Sequence, residues 1–229
     1  MSKINKLIIV ISSIFIISTC AFYTYQKKVG IRKQISSLNS LTILNQYFDL
    51  VDYSLKGNKL DVYMKLNSEF ANLPFVAKYG VFQLGHRTIQ YGLVGYKPFS
   101  YALNGFDVKL HGRLGNDRFE FTSNTADKTR IYNNKGFMKF NEQIITKADL
   151  KEHFFDDEQF LKEKTSNGFP KKEVYDHMVN LFATLTNRGI DYRAQQDNSI
   201  IIEQTAKKFA LQKREIGDIY LSYYLYSNR

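Results

Sequence analysis

VDYSLKGNKLDVYMKL, residues 51–66, decides the fold class. Val51, Tyr53 and Leu55 alternate with polar residues, Lys56-Gly57-Asn58-Lys59 breaks the alternation, and Leu60, Val62, Met64 and Leu66 resume it. Successive side chains of a strand point to opposite faces, so each arm lays one apolar face on a core, and a Gly/Asn pair closes the turn between them. No crossover of a dozen residues separates the arms, which therefore pair antiparallel. Downstream, Phe106, Val108 and Leu110 lead through Gly115-Asn116-Asp117 to Phe119 and Phe121, a second hairpin by the same logic. A shorter third is predicted from Arg130–Asn133 and Phe137–Phe140 around Asn134-Lys135-Gly136.

Between the first two hairpins, Leu73 to Phe106 interleaves glycines at 80, 85, 92, 95 and 105 with Tyr79, Phe82, Tyr91, Tyr96, Phe99 and Tyr101. The spacing gives neither G-x-G-x-x-G nor a Walker loop, so no phosphate cradle is read there. The pattern predicts short, twisted strands with bulges at glycine and the aromatics in the core. Its functional counterpart is a groove lined by Tyr79, Phe82, Tyr91, Tyr96 and Phe99, with glycines allowing close backbone approach and His86-Arg87 as a charged handle at its mouth; the plainer reading of His86-Arg87 is an exposed pair in a turn.

The C-terminal third turns helical. Thr146 with Asp149 resembles a capping box, and Leu150, Phe154 and Leu161 extend a stripe, which predicts a helix over about 147–164. Pro170 opens a second, in which Val174, Met178, Leu181, Phe182 and Leu185 recur at helical spacing and Gly189 is placed to cap the end. Ile190–Arg193 and Ile200–Ile202 read as strands around Gln196-Asp197-Asn198, Thr205 opens a short helix to about Glu215, and Ile219–Tyr226 alternates as a strand covered on both sides. The expected fold is α+β: strands mostly antiparallel, helices grouped in the C-terminal third, one domain over 49–229 with its weakest seam at 141–146.

Upstream, Leu7 to Gln26 is uncharged and apolar, flanked by Lys3 and Lys6 on one side and Lys27, Lys28, Arg32 and Lys33 on the other. Twenty helical residues rise about 30 Å, the thickness of a bilayer's hydrocarbon core, which predicts a transmembrane helix over 1–28. Ile31, Ile35, Leu38, Leu41 and Leu44 continue it at three- and four-residue steps as a stalk helix over 29–48. Three readings of the first segment compete: an uncleaved anchor, a cleaved signal without a clean small-residue site, and a lipoprotein acylated on Cys20 within Ile17-Ser18-Thr19-Cys20. A short N-terminal tail, the lack of any cysteine after Cys20 and the lack of an N-x-[ST] sequon place the domain outside the cytoplasm of a bacterial envelope, as a periplasmic domain on a single pass. The larger number of positive charges after the span argues the other way.

The net charge of +10 is concentrated at the anchor: six of the 32 Lys and Arg and none of the 22 Asp and Glu precede residue 34. The remainder carries 26 basic against 22 acidic residues, without a basic stripe interleaved with stacking aromatics, so no nucleic-acid partner is expected. Lys27, Lys28, Arg32 and Lys33 instead face the membrane surface, where anionic lipid head groups are the partner.

Catalytic chemistry is not legible. Histidines at 86, 111, 153 and 177 never adopt a ligand spacing, no cysteine follows Cys20, and no G-x-S-x-G is present, so no catalytic residue, metal site or cofactor is assigned. His153 and Asp157, four apart on the predicted helix, form at most an exposed pair, and Asp176-His177 point apart. A short basic tail, one span and a β-rich domain resemble the general arrangement of many bacterial envelope proteins. Two classes follow: a scaffold or assembly module that binds envelope protein partners through an exposed strand edge, and a tethered module that binds a lipid or other apolar ligand in the aromatic groove. A hydrolase whose site is assembled from distant residues is the third alternative.

Overall fold

The alternation of residues 51–66 becomes β1 (Phe48–Lys56) and β2 (Lys59–Leu66), antiparallel, with Val51 opposite Met64, Tyr53 opposite Val62 and Leu55 opposite Leu60. A computed structural model describes residues 3–40, 43–95, 106–123, 136–154, 157–187 and 194–227, with the side chains of 3–14, 91–92, 94–95, 151–154 and some single positions excepted. Gly57 closes the first turn at φ +60°, where a Cβ is disfavoured. The second hairpin is β3 (Asp107–Leu114) and β4 (Asp117–Ser123), with Leu110 opposite Phe121 and Gly112 opposite Phe119. Arg130–Asn133, predicted to start the third, lies outside the described residues. β5 (Gly136–Phe140) pairs with β4 on one side and with β6 (Gln143–Thr146) on the other. Residues 141–146, read as a seam, are thus a turn, with Asn141 and Glu142 at φ 43° and 77°, and an edge strand of the same sheet.

The strands lie in sequence order, β1 to β6, and all neighbours are antiparallel except β2 and β3. A parallel pair needs a crossover, supplied here by α2 (Ser68–Ala71) and α3 (Phe75–Gly95). The Asn67 side chain caps α2 by accepting from the backbone N–H of Glu69 and Phe70. Over Phe75–Gly95, α3 replaces the twisted strands expected there, and its burial explains why; residues 96–105 of that stretch lie outside the described residues. Val76, Ala77, Tyr79, Val81, Phe82, His86, Ile89 and Leu93 are buried around the whole cylinder, because α3 is packed against the sheet and against the last helix. A helix covered all round shows no 3.6-residue stripe. Its glycines serve contact: a Cβ on Gly80 would sit 3.2 Å from the Leu221 carbonyl oxygen.

After the sheet come α4 (Lys147–Phe154), α5 (Asp157–Lys162), α6 (Lys171–Leu185), α7 (Ala194–Phe209) and α8 (Lys213–Ser227). The capping box is present: the Thr146 backbone N–H donates to Asp149 Oδ2 at 2.7 Å and the Asp149 N–H to Thr146 Oγ1 at 3.3 Å. The predicted helix over 147–164 is helical over Lys147–Phe154 and Asp157–Lys162, and residues 155–156 between these stretches lie outside the described residues. α6 forms as the spacing requires, but its left-handed terminator is Asn187, at φ 47°, while Gly189 lies outside the described residues, as does the strand expected over Ile190–Arg193. Ile200–Ile202 is not a strand but part of α7, and Thr205 sits inside that helix, its hydroxyl donating to the Ile201 carbonyl at 2.7 Å. Ile219–Tyr226 is helical as well. Ile216, Ile219 and Tyr223 stand at i, i+3 and i+7 and are buried, and so are Leu221, Tyr224 and Leu225, so a segment apolar on nearly every side satisfied both periods. α6, α7 and α8 pack on one another, and α8 joins them to α3.

One unbroken helix, α1 (Lys3–Ser40), precedes the sheet. Its second half is no free stalk. Ile31, Ile35 and Leu38 are buried against the domain, α1 packs on α3, and a 3-10 turn at Asn45–Tyr47 hands the chain to β1. Among the described residues no helix is long and apolar enough to cross a membrane; the side chains of 3–14, which include the start of the Leu7–Gln26 run, are not among those described. The whole is a mixed α+β fold with a mostly antiparallel sheet and with helices in the C-terminal part, as the pattern predicts, while α1, α2 and α3 precede β3.

Candidate functional site

The alternation that makes each strand also divides the sheet into two faces. Leu60, Val62, Met64 and Leu66 of β2, Val108 and Leu110 of β3, Phe119 and Phe121 of β4 and Met138 of β5 are buried beneath the helices. The other face carries the intervening polar residues, and the register places Asp52, Tyr63, His111, Glu120, Lys139 and Ile144 in one row across all six strands. At its centre His111 Nε2 lies 2.9 Å from Asp61 Oδ1 and its Nδ1 lies 3.6 Å from Glu120 Oε1. Glu120 also accepts from Lys109 Nζ at 2.8 Å, and that bond holds its carboxyl below the usual range. The Tyr63 ring stacks on the imidazole at 5.0 Å between centroids with a 17° tilt. The arrangement is a set of cross-strand pairs open to solvent. Asp61 engages one imidazole nitrogen, whereas Nδ1, 3.6 Å from Glu120, is beyond hydrogen-bond distance, so the row sets one histidine between two carboxylates and against an aromatic ring. Nothing in the sequence marked it, because Asp61 and His111 meet only through the parallel β2–β3 register.

The aromatics expected to line a groove divide differently. Tyr79 and Phe82 are fully buried on α3. The Tyr79 hydroxyl donates to the Gly136 carbonyl at 2.8 Å and its ring meets Phe121 edge-on, and burial raises its pKa. Phe82 stacks on Phe119 and packs edge-on against Phe70. The side chain of Tyr91 and all of Tyr96 and Phe99 lie outside the described residues. His86, expected in an exposed turn, is buried on α3, where Nε2 donates to the Val108 carbonyl at 3.0 Å and burial lowers its pKa to about 4. Arg87 is half-buried, bonded to the Tyr224 hydroxyl and stacked over that ring.

The four membrane-surface cations are also unequal. Lys28, Arg32 and Lys33 are exposed on α1, but Lys27 is half-buried: its Nζ donates to the Gly57 carbonyl at 3.3 Å and lies 4.7 Å over the Phe106 ring. Cys20 is a free, exposed thiol on the same helix. Elsewhere, the Tyr47 hydroxyl donates to Asp218 Oδ1 at 2.5 Å, a bond that ties the start of the sheet to α8, and burial pushes both groups' pKa values up. His177, near Lys208 Nζ at 3.2 Å, has its pKa lowered by burial and by that cation. Among the described residues no three His, Cys, Asp or Glu side chains are grouped to hold a metal ion. Comparison with protein families, with curated proteins and with solved structures gives no match for this chain.

Proposed function

We propose that this chain is a single-pass, membrane-anchored protein of the bacterial cell envelope, whose domain lies outside the cytoplasm and serves as a non-catalytic scaffold that binds partner proteins. The division of α1 carries the reading. Within one continuous helix, Phe15, Ile17, Phe22 and Tyr25 are 72, 67, 58 and 64% exposed, whereas Ile31, Ile35 and Leu38 are in the core. So many large apolar side chains left in water oppose the hydrophobic effect, and a bilayer removes the conflict. The hydroxyls on this stretch support the same environment: Thr19 donates to the Phe15 carbonyl at 2.8 Å and Thr24 to the Cys20 carbonyl at 2.9 Å, so neither needs water.

The binding role rests on the sheet. It ends in two edge strands, β1 and β6, each paired on one side within the sheet, and its open face offers the Asp61–His111–Glu120 row with Tyr63. Edges accept an added strand, and a rigid charged face with an aromatic gives it specificity. The test is purification of the intact chain in a gentle detergent, followed by mass spectrometry of its N-terminus and of everything retained with it. An intact Met1 and stoichiometric envelope proteins are expected. A chain starting at an acylated Cys20 would replace the anchor by a lipid, and a co-purifying lipid without protein would overturn the scaffold in favour of an apolar-ligand module.

A further inference from the structure

The anchor fixes which end of the sheet meets the membrane. Lys27 is the first residue after the apolar run, and its ammonium is bonded to the Gly57 carbonyl, at the tip of the β1–β2 turn. The same turn is tied to the start of β3, where the Asp107 N–H donates to the Asn58 carbonyl at 2.8 Å. The turn therefore stands beside α1 at the level where the run ends. Lys56, Gly57, Asn58 and Lys59 are all exposed, and Lys56 and Lys59 face each other across the hairpin. With Lys27 and Lys28 they make a rim of four lysines, against which Asp107, opposite Lys59 in β3, sets one carboxylate. The far ends of the strands differ. There, the Gly115-Asn116 and Asn141-Glu142 turns lie side by side, joined by the Asn141 amide to Asp117 at 2.7 Å, a strand's length from the rim.

We propose that the β1–β2 turn is a second membrane contact, in which Lys56 and Lys59, alongside Lys27 and Lys28, lie in the head-group layer and bind anionic lipid, so that the domain is held against the bilayer and does not swing on α1. The inference rests on the anchor reading. Lysines at an anionic surface act additively and are screened by salt, which makes the contact measurable.

The experiment places the full-length chain, with Cys20→Ser and a single fluorophore on Asn58→Cys or Asn116→Cys, in lipid nanodiscs of neutral phosphatidylcholine with or without anionic phosphatidylglycerol and a head-group nitroxide quencher. Quenching at 58 should exceed that at 116 severalfold in anionic discs and fall towards the level at 116 in neutral discs or high salt. Lys56→Gln with Lys59→Gln should weaken it about thirtyfold in the partition between quenched and unquenched states, and Lys56→Glu with Lys59→Glu by more. Equal quenching at 58 and 116, or quenching at 58 indifferent to lipid charge and to both lysine pairs, would overturn the contact while leaving the anchor intact. A chain that does not enter discs at all overturns the anchor, and this contact with it.

Discussion

Acidification should destabilise this protein through His86, and the size of the effect follows from its burial. The imidazole is fully enclosed beneath β3, donates to the Val108 carbonyl and packs near Phe121 at 5.4 Å. Burial penalises the charged form and lowers its pKa from 6.5 to about 4, while the Val108 bond opposes this only in part. A depressed folded-state value means that the unfolded chain binds the proton more readily between the two pKa values. The stabilisation is therefore complete above about pH 6.5 and is lost as pH falls towards 4. Near one extra proton bound on unfolding corresponds to about 1.4 kcal/mol per pH unit, and the loss from about pH 7 to about pH 5 integrates to about 2 kcal/mol. In a chain of this size that lowers Tm by about 4–8 °C. Carboxylates and His177 titrate in the same experiment, so the measurement is a comparison with His86→Gln, whose amide can still donate to Val108 and does not ionise. Urea unfolding followed by circular dichroism in mild detergent at both pH values should show the variant less stable at pH 7 and the gap narrowing by about 2 kcal/mol at pH 5. A variant whose stability falls with acid as steeply as wild type would refute the reasoning, since His86 would then not be buried as a neutral group.

A core position for Phe82 predicts that Gly112→Ala is costly. The added Cβ would sit 2.4 Å from Phe82 Cζ and 2.8 Å from Leu66 Cδ1, an overpacking loss of about 1–3 kcal/mol set against about 0.5–1 kcal/mol for removing a strand glycine. Phe82→Leu should recover part of that loss in the double variant. Purely additive urea midpoints would mean that the two side chains do not meet. On the open face, His111→Gln with Tyr63→Ala should change stability by less than about 1 kcal/mol, because exposed pairs contribute little, yet lower the yield of co-purifying partner protein. Unchanged retention would remove that row from the binding surface.

What was legible depended on which neighbour set the pattern. β2 buries one face and leaves the other towards solvent, Val51, Tyr53 and Leu55 of β1 are half-buried opposite it, and the Gly57 turn needs a left-handed residue, so local sequence sufficed. α6 was legible for the same reason: it buries Val174 and Met178 while Asp176 and Val179 remain exposed. α3 and α8 failed the test because they cover each other and are covered on their other sides, which erases the contrast on which periodicity depends. β6 was missed for the opposite reason. It has four residues, with Ile145 buried and Ile144 60% exposed, too short a run to set a period of two against chance.

The site was less legible than the fold because it has no local signature. The strand pattern already put Asp61 and Tyr63 on one face of β2 and Lys109 and His111 on one face of β3, so every member was visible as a polar strand residue. Only the parallel pairing, which sets Asp61 opposite Lys109 and Tyr63 opposite His111, makes them neighbours, and that pairing exists because α3 crosses between the strands. Had β2 and β3 been joined by a hairpin, the two strands would run opposite ways and the register that brings Asp61 to His111 would be lost. The same crossover returns the start of β3 to the β1–β2 turn, where Asp107 and Lys27 meet Asn58 and Gly57. One long-range connection thus assembles the charged face and sets Asp107 beside the lysine rim, and it links the surface proposed to bind partners to the end of the sheet proposed to rest on lipid.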